Sequence, residues 1–170
     1  MRHTGVVTVN DASECAIRPL TRERALCIVQ GQRQSDWCVD YPTEGDFVIA
    51  SLIAQTNEPI DVPWCAYEVV WQGAVVGGVG AKSPPRDTTV EIGYGIAPSA
   101  RGRGIATRAV ALLVSELRAH SPALVIEAEI EAGNQPSIAV VTRLNFTSVG
   151  ERDGLLLFRL HNDVHGRSRD

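Results

Sequence analysis

The sequence predicts a single α/β domain on a mixed, mostly antiparallel central sheet flanked by helices, and three observations lead there. The chain has 170 residues, enough for one well-buried core and too few for two ordinary domains. Its front carries two apolar runs, Trp64 to Trp71 and Ala74 to Lys82, joined by Gln72-Gly73, the two-residue connection of an antiparallel hairpin. Behind them strand, helix, strand and helix patterns alternate, as in a βαβα unit.

Residues 1–13 and 161–170 read as loose tails of this one domain. Cys15 to Leu20 is a short first strand, and Thr21 can cap a helix over Arg22 to about Gln34. A linker ends at Tyr41-Pro42-Thr43. The next helix covers Glu44 to Gln55, with Phe47, Ile49, Ala50, Leu52 and Ile53 forming a mostly apolar face. In the second hairpin strand Gly77, Gly78 and Gly80 leave room for a ligand, a neighbouring backbone or a bulge. Ser83 to Asp87 is a polar loop, and Thr88 to Ile96 is a strand. The longest helix runs from about Gly104 to Ala119, where Ile105, Ala109, Leu113 and Leu117 recur at i+4 beside Ala106 and Val110. Pro122 stops it. Leu124 to Ile130 is a strand, Pro136 to Leu144 a short helix, and Thr147 to Gly150 with Leu155 to Leu160 a final pair around Asp153-Gly154.

Composition narrows the function. Hydrophobic residues make up 44% and charged residues 21%, which is ordinary for a globular protein, and the apolar runs are too short to span a membrane. With no secretory signal visible, the expected location is cytoplasmic, in a monomer or homodimer. A net charge of −4 and a single lysine, Lys82, argue against a nucleic-acid partner. Cys15, Cys27, Cys38 and Cys65 lack zinc-ligand spacing and read as reduced and partly buried. His161 and His165 have helical ligand spacing in a polar tail, and no metal is expected. His120 closes a helix, so Ser-His and Cys-His chemistry has few carriers.

The most informative stretch is Glu91 to Ala106, a strand that passes through Ala97-Pro98-Ser99-Ala100 into Arg101-Gly102-Arg103-Gly104-Ile105-Ala106. Gly102 and Gly104 allow close backbone approach, and the helix opening there presents unpaired N–H groups and a partial positive charge. Such an end binds phosphate or pyrophosphate, although the same glycines would also serve a plain surface turn. A Walker loop is excluded, because Ile105 and Ala106 stand where Lys-Ser or Lys-Thr is needed. The dinucleotide fingerprint is weakened: Thr107 replaces its third small residue, and Ala97 to Arg101 separate strand from turn. Glu127 does lie where a ribose-binding acid would.

Arg101, Gly104 and Ala106 match the Arg/Gln-x-x-Gly-x-Gly/Ala loop of the GCN5-related N-acetyltransferase (GNAT) superfamily, which this chain resembles. The resemblance continues over Ile126 to Phe146: a strand, Asn134-x-x-Ser137, and a short helix ending in Leu144-Asn145-Phe146 where relatives carry Leu-Gly-Phe. Asn is a mild substitute for Gly at a left-handed helix end. The resemblance implies an acyltransferase that moves an acetyl group from acetyl-coenzyme A, as co-substrate, to a small-molecule or peptide amine. It also implies a gap between the strands carrying Glu91 and Glu129, into which the acyl arm enters.

Residue roles follow from the resemblance. Arg101, Gly102, Arg103, Gly104, Ile105 and Ala106 would hold the pyrophosphate, the Ile96 N–H would meet the thioester carbonyl, and Asn134 and Ser137 would help hold the pantetheine arm. Freeing the lone pair of an alkylamine at pH 7 costs roughly 4 to 5 kcal/mol, so a base is expected; Glu91 is the first choice and Glu129 the rival. Period-two alternation also puts Glu127, Glu129 and Glu131 on one face that solvent could simply bathe. Relatives place a thiolate-protonating tyrosine seven residues after the Asn; Val141 stands there, leaving Tyr94, a water or no acid at all. The acceptor is expected around Trp37, Asp40, Tyr41, Glu44 and Asp46, whose aromatic and acidic groups suit a cationic amine. A non-catalytic acyl-coenzyme A sensor and a dinucleotide-dependent oxidoreductase remain the alternatives.

Overall fold

A computed structural model describes residues 7–8 and 15–161. Among these, eight strands form one sheet: β1 (Val7–Thr8), β2 (Cys15–Pro19), β3 (Ala66–Trp71), β4 (Ala74–Ala81), β5 (Thr89–Ile96), β6 (Val125–Ile130), β7 (Thr147–Arg152) and β8 (Leu155–Leu160). Their order is β1-β2-β3-β4-β5-β6-β8-β7. Only β5 and β6 run parallel. Four helices accompany them: α1 (Arg22–Val29), α2 (Glu44–Ala54), α3 (Ile105–His120) and α4 (Gln135–Arg143). The expected mixed, mostly antiparallel α/β domain is therefore present. Within the expected tails, Val7 and Thr8 pair with Ile17 and Ala16, and the His161 carbonyl accepts from Arg118 at 2.8 Å; residues 1–6, 9–13 and 162–170, His165 included, lie outside the described residues.

Backbone chemistry sets most boundaries. Gln72 and Gly73 have φ of 49° and 81°, and Asp153 and Gly154 have 51° and 82°, so both hairpins close through the positive-φ pairs that match strand twist. Asn145 takes the left-handed conformation at φ 64°, ending α4 as expected. Helix α1 stops at Val29, well short of Gln34, because Gly31 adopts φ 68°. The Gly31 and Gln32 amides then close onto the Ile28 and Cys27 carbonyls in a paired C-terminal cap. At α2, Thr43 and Asp46 exchange side-chain and backbone bonds in a capping box, an arrangement in which the cap contributes about 1 kcal/mol.

Two cores divide the sheet faces. The larger lies under α3 and α4, where Ile105, Ala109, Val110, Leu112, Leu113 and Leu117 meet Val69, Val79, Val90, Ile92, Ile96 and Ile126. The smaller gathers Leu20, Ala25, Ile28, Trp37, Tyr41, Ala50 and Val75 beneath α1 and α2. The apolar face expected of α2 is present, but little of it is packed on the sheet. Only Ala50 is buried, while Phe47, Val48 and Leu52 are 46%, 54% and 61% exposed. The helix stands off from the sheet, and a cavity fills the space between them.

Candidate active site

Glycines create that cavity. Register pairs Gly78 with Gly95 and Gly80 with Gly93, so four residues without side chains adjoin on one sheet face. Above them stand Val48, Ile49, Leu52 and Ile53 of α2, with Ile60 and Trp64 from the segment before β3, around a volume of about 590 Å³. Small side chains are required on part of this floor: a Cβ at Gly80 would meet the Ala66 Cα at 2.7 Å, and one at Gly78 would meet Asp46 Oδ1 at 2.5 Å. Above Gly95 nothing lies within 4 Å.

Polar groups on this cavity are few. Asp46 Oδ2 accepts from the Thr43 amide at 2.9 Å and the Thr43 hydroxyl at 2.7 Å, while Oδ1 lies toward Gly78. Burial pushes the Asp46 carboxyl up; the Thr43 hydrogen bonds oppose this, and the nearby Glu68 charge adds to it. Tyr41 lines the same cavity at 2% exposure, and its buried hydroxyl has no hydrogen-bond partner. Lys82 also lines it and is ion-paired with Glu91, its neighbour across β4 and β5.

The second half of the site is a gap in the sheet. Strands β5 and β6 pair only from Thr89↔Val125 to Glu91↔Glu127, whereas β4 stays paired with β5 as far as Ile96. Beyond Glu91 and Glu127 the parallel strands part at their C-terminal ends, where α/β sheets receive ligands. Ala97 donates to the Val76 carbonyl at 2.8 Å on the β4 side. By alternation the Ile96 N–H turns toward the gap.

At the end of β5, Pro98–Ala100 form a turn of 3-10 helix that leads to the glycine loop. Gly102 and Gly104 have φ of 76° and 73°, with open space where a Cβ would point. Gly104 caps α3 without a side-chain hydrogen bond, and no acidic residue occupies the first turn. The helix N-terminus is thus uncapped, beside the exposed residues 101–104, and fits an anionic group. The Arg101 side chain folds back and donates Nε–H to the Ile96 carbonyl at 2.8 Å. Arg103 reaches the Ser99 carbonyl at 3.4 Å.

The remaining nominated residues separate. Asn134 caps α4, its Oδ1 accepting from the Ser137 amide at 3.2 Å. Tyr94 donates to the Ser137 carbonyl at 2.9 Å, and burial pushes its phenol up to about 12 against that hydrogen bond. Val141 is fully buried in the main core. Glu129 Oε1 accepts from Arg152 at 3.1 Å. The face expected to be solvated is corrected in part, because Glu127 is 3% exposed between Arg152 and Arg159. Trp37 packs edge-on against Tyr41 in the smaller core and lies outside the lining of this cavity. Asp40 lies outside that lining too and accepts from the Ser99 amide at 2.7 Å, tying the α1–α2 connection to the turn before the glycine loop. Sequence reading nominated Tyr41, left Asp46 among the acidic residues of its region, and marked Gly78 and Gly80 as room for a ligand without their partners Gly95 and Gly93.

The sequence profile of the acetyltransferase (GNAT) domain matches residues 16–147. The chain belongs to the GNAT acetyltransferase family. Solved structures agree on the fold. The ribosomal L7/L12 alpha-N-protein acetyltransferase RimL superposes with a TM-score of 0.66 at 17% identity, covering 95% of this chain and 98% of that one. Mycobacterium smegmatis RimJ, solved with a coenzyme A disulfide, gives 0.63 at 21%, covering 92% and 86%. Salmonella typhimurium yncA, solved with acetyl-coenzyme A, gives 0.60 at 20%, covering 89% and 96%. No curated protein matches the sequence significantly. Among the described residues this GNAT domain has no group of three or more His, Cys, Asp or Glu placed to hold a metal, and no helix long and apolar enough to cross a membrane.

Proposed function

We propose that the protein is an acetyl-coenzyme A-dependent N-acetyltransferase that passes the acetyl group directly to a primary amine in a ternary complex. One observation carries this reading: the gap beside β5 and the glycine-floored cavity meet along Gly93 to Gly95, so thioester and amine can approach the same strand from two sides. The uncapped end of α3 holds the pyrophosphate through backbone amides. The Ile96 N–H meets the thioester oxygen as charge develops there.

The acceptor ammonium gives one proton to Glu91 through a water, and the freed lone pair attacks the thioester carbonyl. The C–S bond then breaks, coenzyme A leaves as thiolate, and the new amide nitrogen releases its second proton to solvent. Glu91 suits the base role because it shares the sheet face of Gly93 and Gly95. Both carboxylates are ion-paired, Glu91 with Lys82 and Glu129 with Arg152, but only Lys82 lines the cavity. The thiolate, with a pKa near 8.5, needs little help in leaving. Tyr94, whose proton is directed at Ser137, is a strut in this scheme.

Incubation with acetyl-coenzyme A and an amine panel, with free thiol followed against time, tests the proposal. Amine-dependent thiol release supports it, and its absence across the panel contradicts it. Binding without turnover is a second reading, favoured by the buried Val141 at the usual tyrosine position; it requires tight thioester binding with no product.

A further inference from the structure

Resting on that reading, we infer that the cavity beneath α2 takes a lipophilic primary amine, its ammonium held by Asp46 and its hydrocarbon body by the apolar walls. A volume of about 590 Å³ suits a small organic molecule. The walls are set by Val48, Ile49, Leu52, Ile53, Ile60 and Trp64, and the floor by backbone. Glu58 and Asp61 line the rim but are exposed to water, so neither is a fixed partner for a second buried charge. One group on the lining has unused capacity. Asp46 Oδ2 is occupied by Thr43 while Oδ1 accepts no hydrogen bond; the Tyr41 hydroxyl is sealed from the cavity.

Asp46 Oδ1 can accept from an ammonium, which offsets the cost of covering a carboxylate with an apolar ligand. Lys82, the one cation on the lining, is held by Glu91 and leaves Asp46 unpaired. A purely hydrocarbon ligand would cover this carboxylate without a partner, and a polyamine would drive extra charge against apolar walls. A single amine on an apolar body meets both conditions.

The experiment pairs calorimetric titration of amines into the coenzyme A-loaded protein with initial-rate kinetics using acetyl-coenzyme A. The probes are 2-phenylethylamine, hexylamine, ethanolamine and spermidine. The first two should bind at least about 10-fold tighter than the others. Asp46→Asn should keep the fold while raising KM for 2-phenylethylamine about 10- to 100-fold with kcat nearly constant. Leu52, largely exposed, tolerates a polar side chain, and Leu52→Asn should weaken hexylamine more than ethanolamine. Spermidine or ethanolamine binding as tightly as the apolar amines, or an unchanged KM in folded Asp46→Asn, would overturn the inference. Apolar amines that bind and respond to these variants but are never acetylated would sink the transferase reading and leave the amine site supported.

Discussion

Tyr94 donates its phenol proton to the carbonyl of Ser137 at 2.9 Å, joining β5 to the first turn of α4 on the side of the sheet opposite the cavity. A phenol raised to about 12 and already donating is a poor source of a proton for a departing thiolate. Tyr94→Phe should therefore keep turnover within about threefold and retain the alkaline limb of the kcat profile, while losing about 1 kcal/mol of stability. The pH dependence of kcat and a urea titration of the two proteins check this. Loss of about 10²-fold in kcat together with the alkaline limb would make Tyr94 the acid after all.

The glycine loop makes a second prediction. Gly104→Glu sets a carboxylate beside the phosphates and a side chain at φ 73°, so coenzyme A binding should vanish by titration calorimetry. Gly104→Ala, facing open space, should fold with a backbone cost of about 1 kcal/mol and retain measurable binding. Unchanged affinity in a folded Gly104→Glu protein would exclude the loop as the phosphate site.

Carboxylate roles are separable by paired substitution. Glu91→Gln should cut turnover about 10²- to 10⁴-fold with coenzyme A affinity retained. Glu129→Gln should lose only its contact with Arg152 and leave turnover near parental. The reverse pattern, read from kcat of both variants, would move the base to β6.

Stability has its own test beneath α1. Glu68 is fully buried between the Arg18 and Arg24 guanidiniums, with Nε to Oε2 distances of 2.7 Å each, and Asp36 closes the cluster. Glu68→Gln should cost roughly 3 kcal/mol in denaturant unfolding, because two cations lose their buried partner. Burial raises the Asp36 carboxyl, but the hydrogen bonds and charges of Arg18 and Arg24 outweigh it and hold that group below its ordinary value. A depressed carboxyl contributes stability above its unfolded value of about 3.9 and loses it as pH falls through the lower folded value. Asp36→Asn should accordingly flatten the acid limb of stability below about pH 4 and leave its slope unchanged near neutrality.

What could be read from the letters alone follows a physical line. Turns and caps depend on local chemistry, and Gln72-Gly73, Asp153-Gly154, Asn145 and the α3 stripe all fell where their residue types put them. Helix α1 ended early because one glycine in a left-handed conformation outweighed the residues after it. Coverage of a surface is not local. Glu127 reads as an exposed alternating carboxylate, yet arginines from β7 and β8 close over it. Trp37 reads as a binding aromatic, yet it fills the smaller core. The apolar letters of α2 signal burial but not against what; Gly78, Gly80, Gly93 and Gly95 turned that face into a cavity roof. Glycines at alternate positions of two paired strands were the available sign, visible only once their register is known.

The central claim is that the loop at Arg101–Ala106 and the cavity at Gly93–Gly95 serve one reaction. Mass spectrometry of 2-phenylethylamine incubated with isotopically labelled acetyl-coenzyme A measures it most directly, with the Gly104→Glu protein run in parallel. The account predicts labelled N-acetyl product matched by free thiol for the parental chain and none for the variant. Undiminished product from a folded Gly104→Glu protein, or no labelled amide from the parental one, would contradict it.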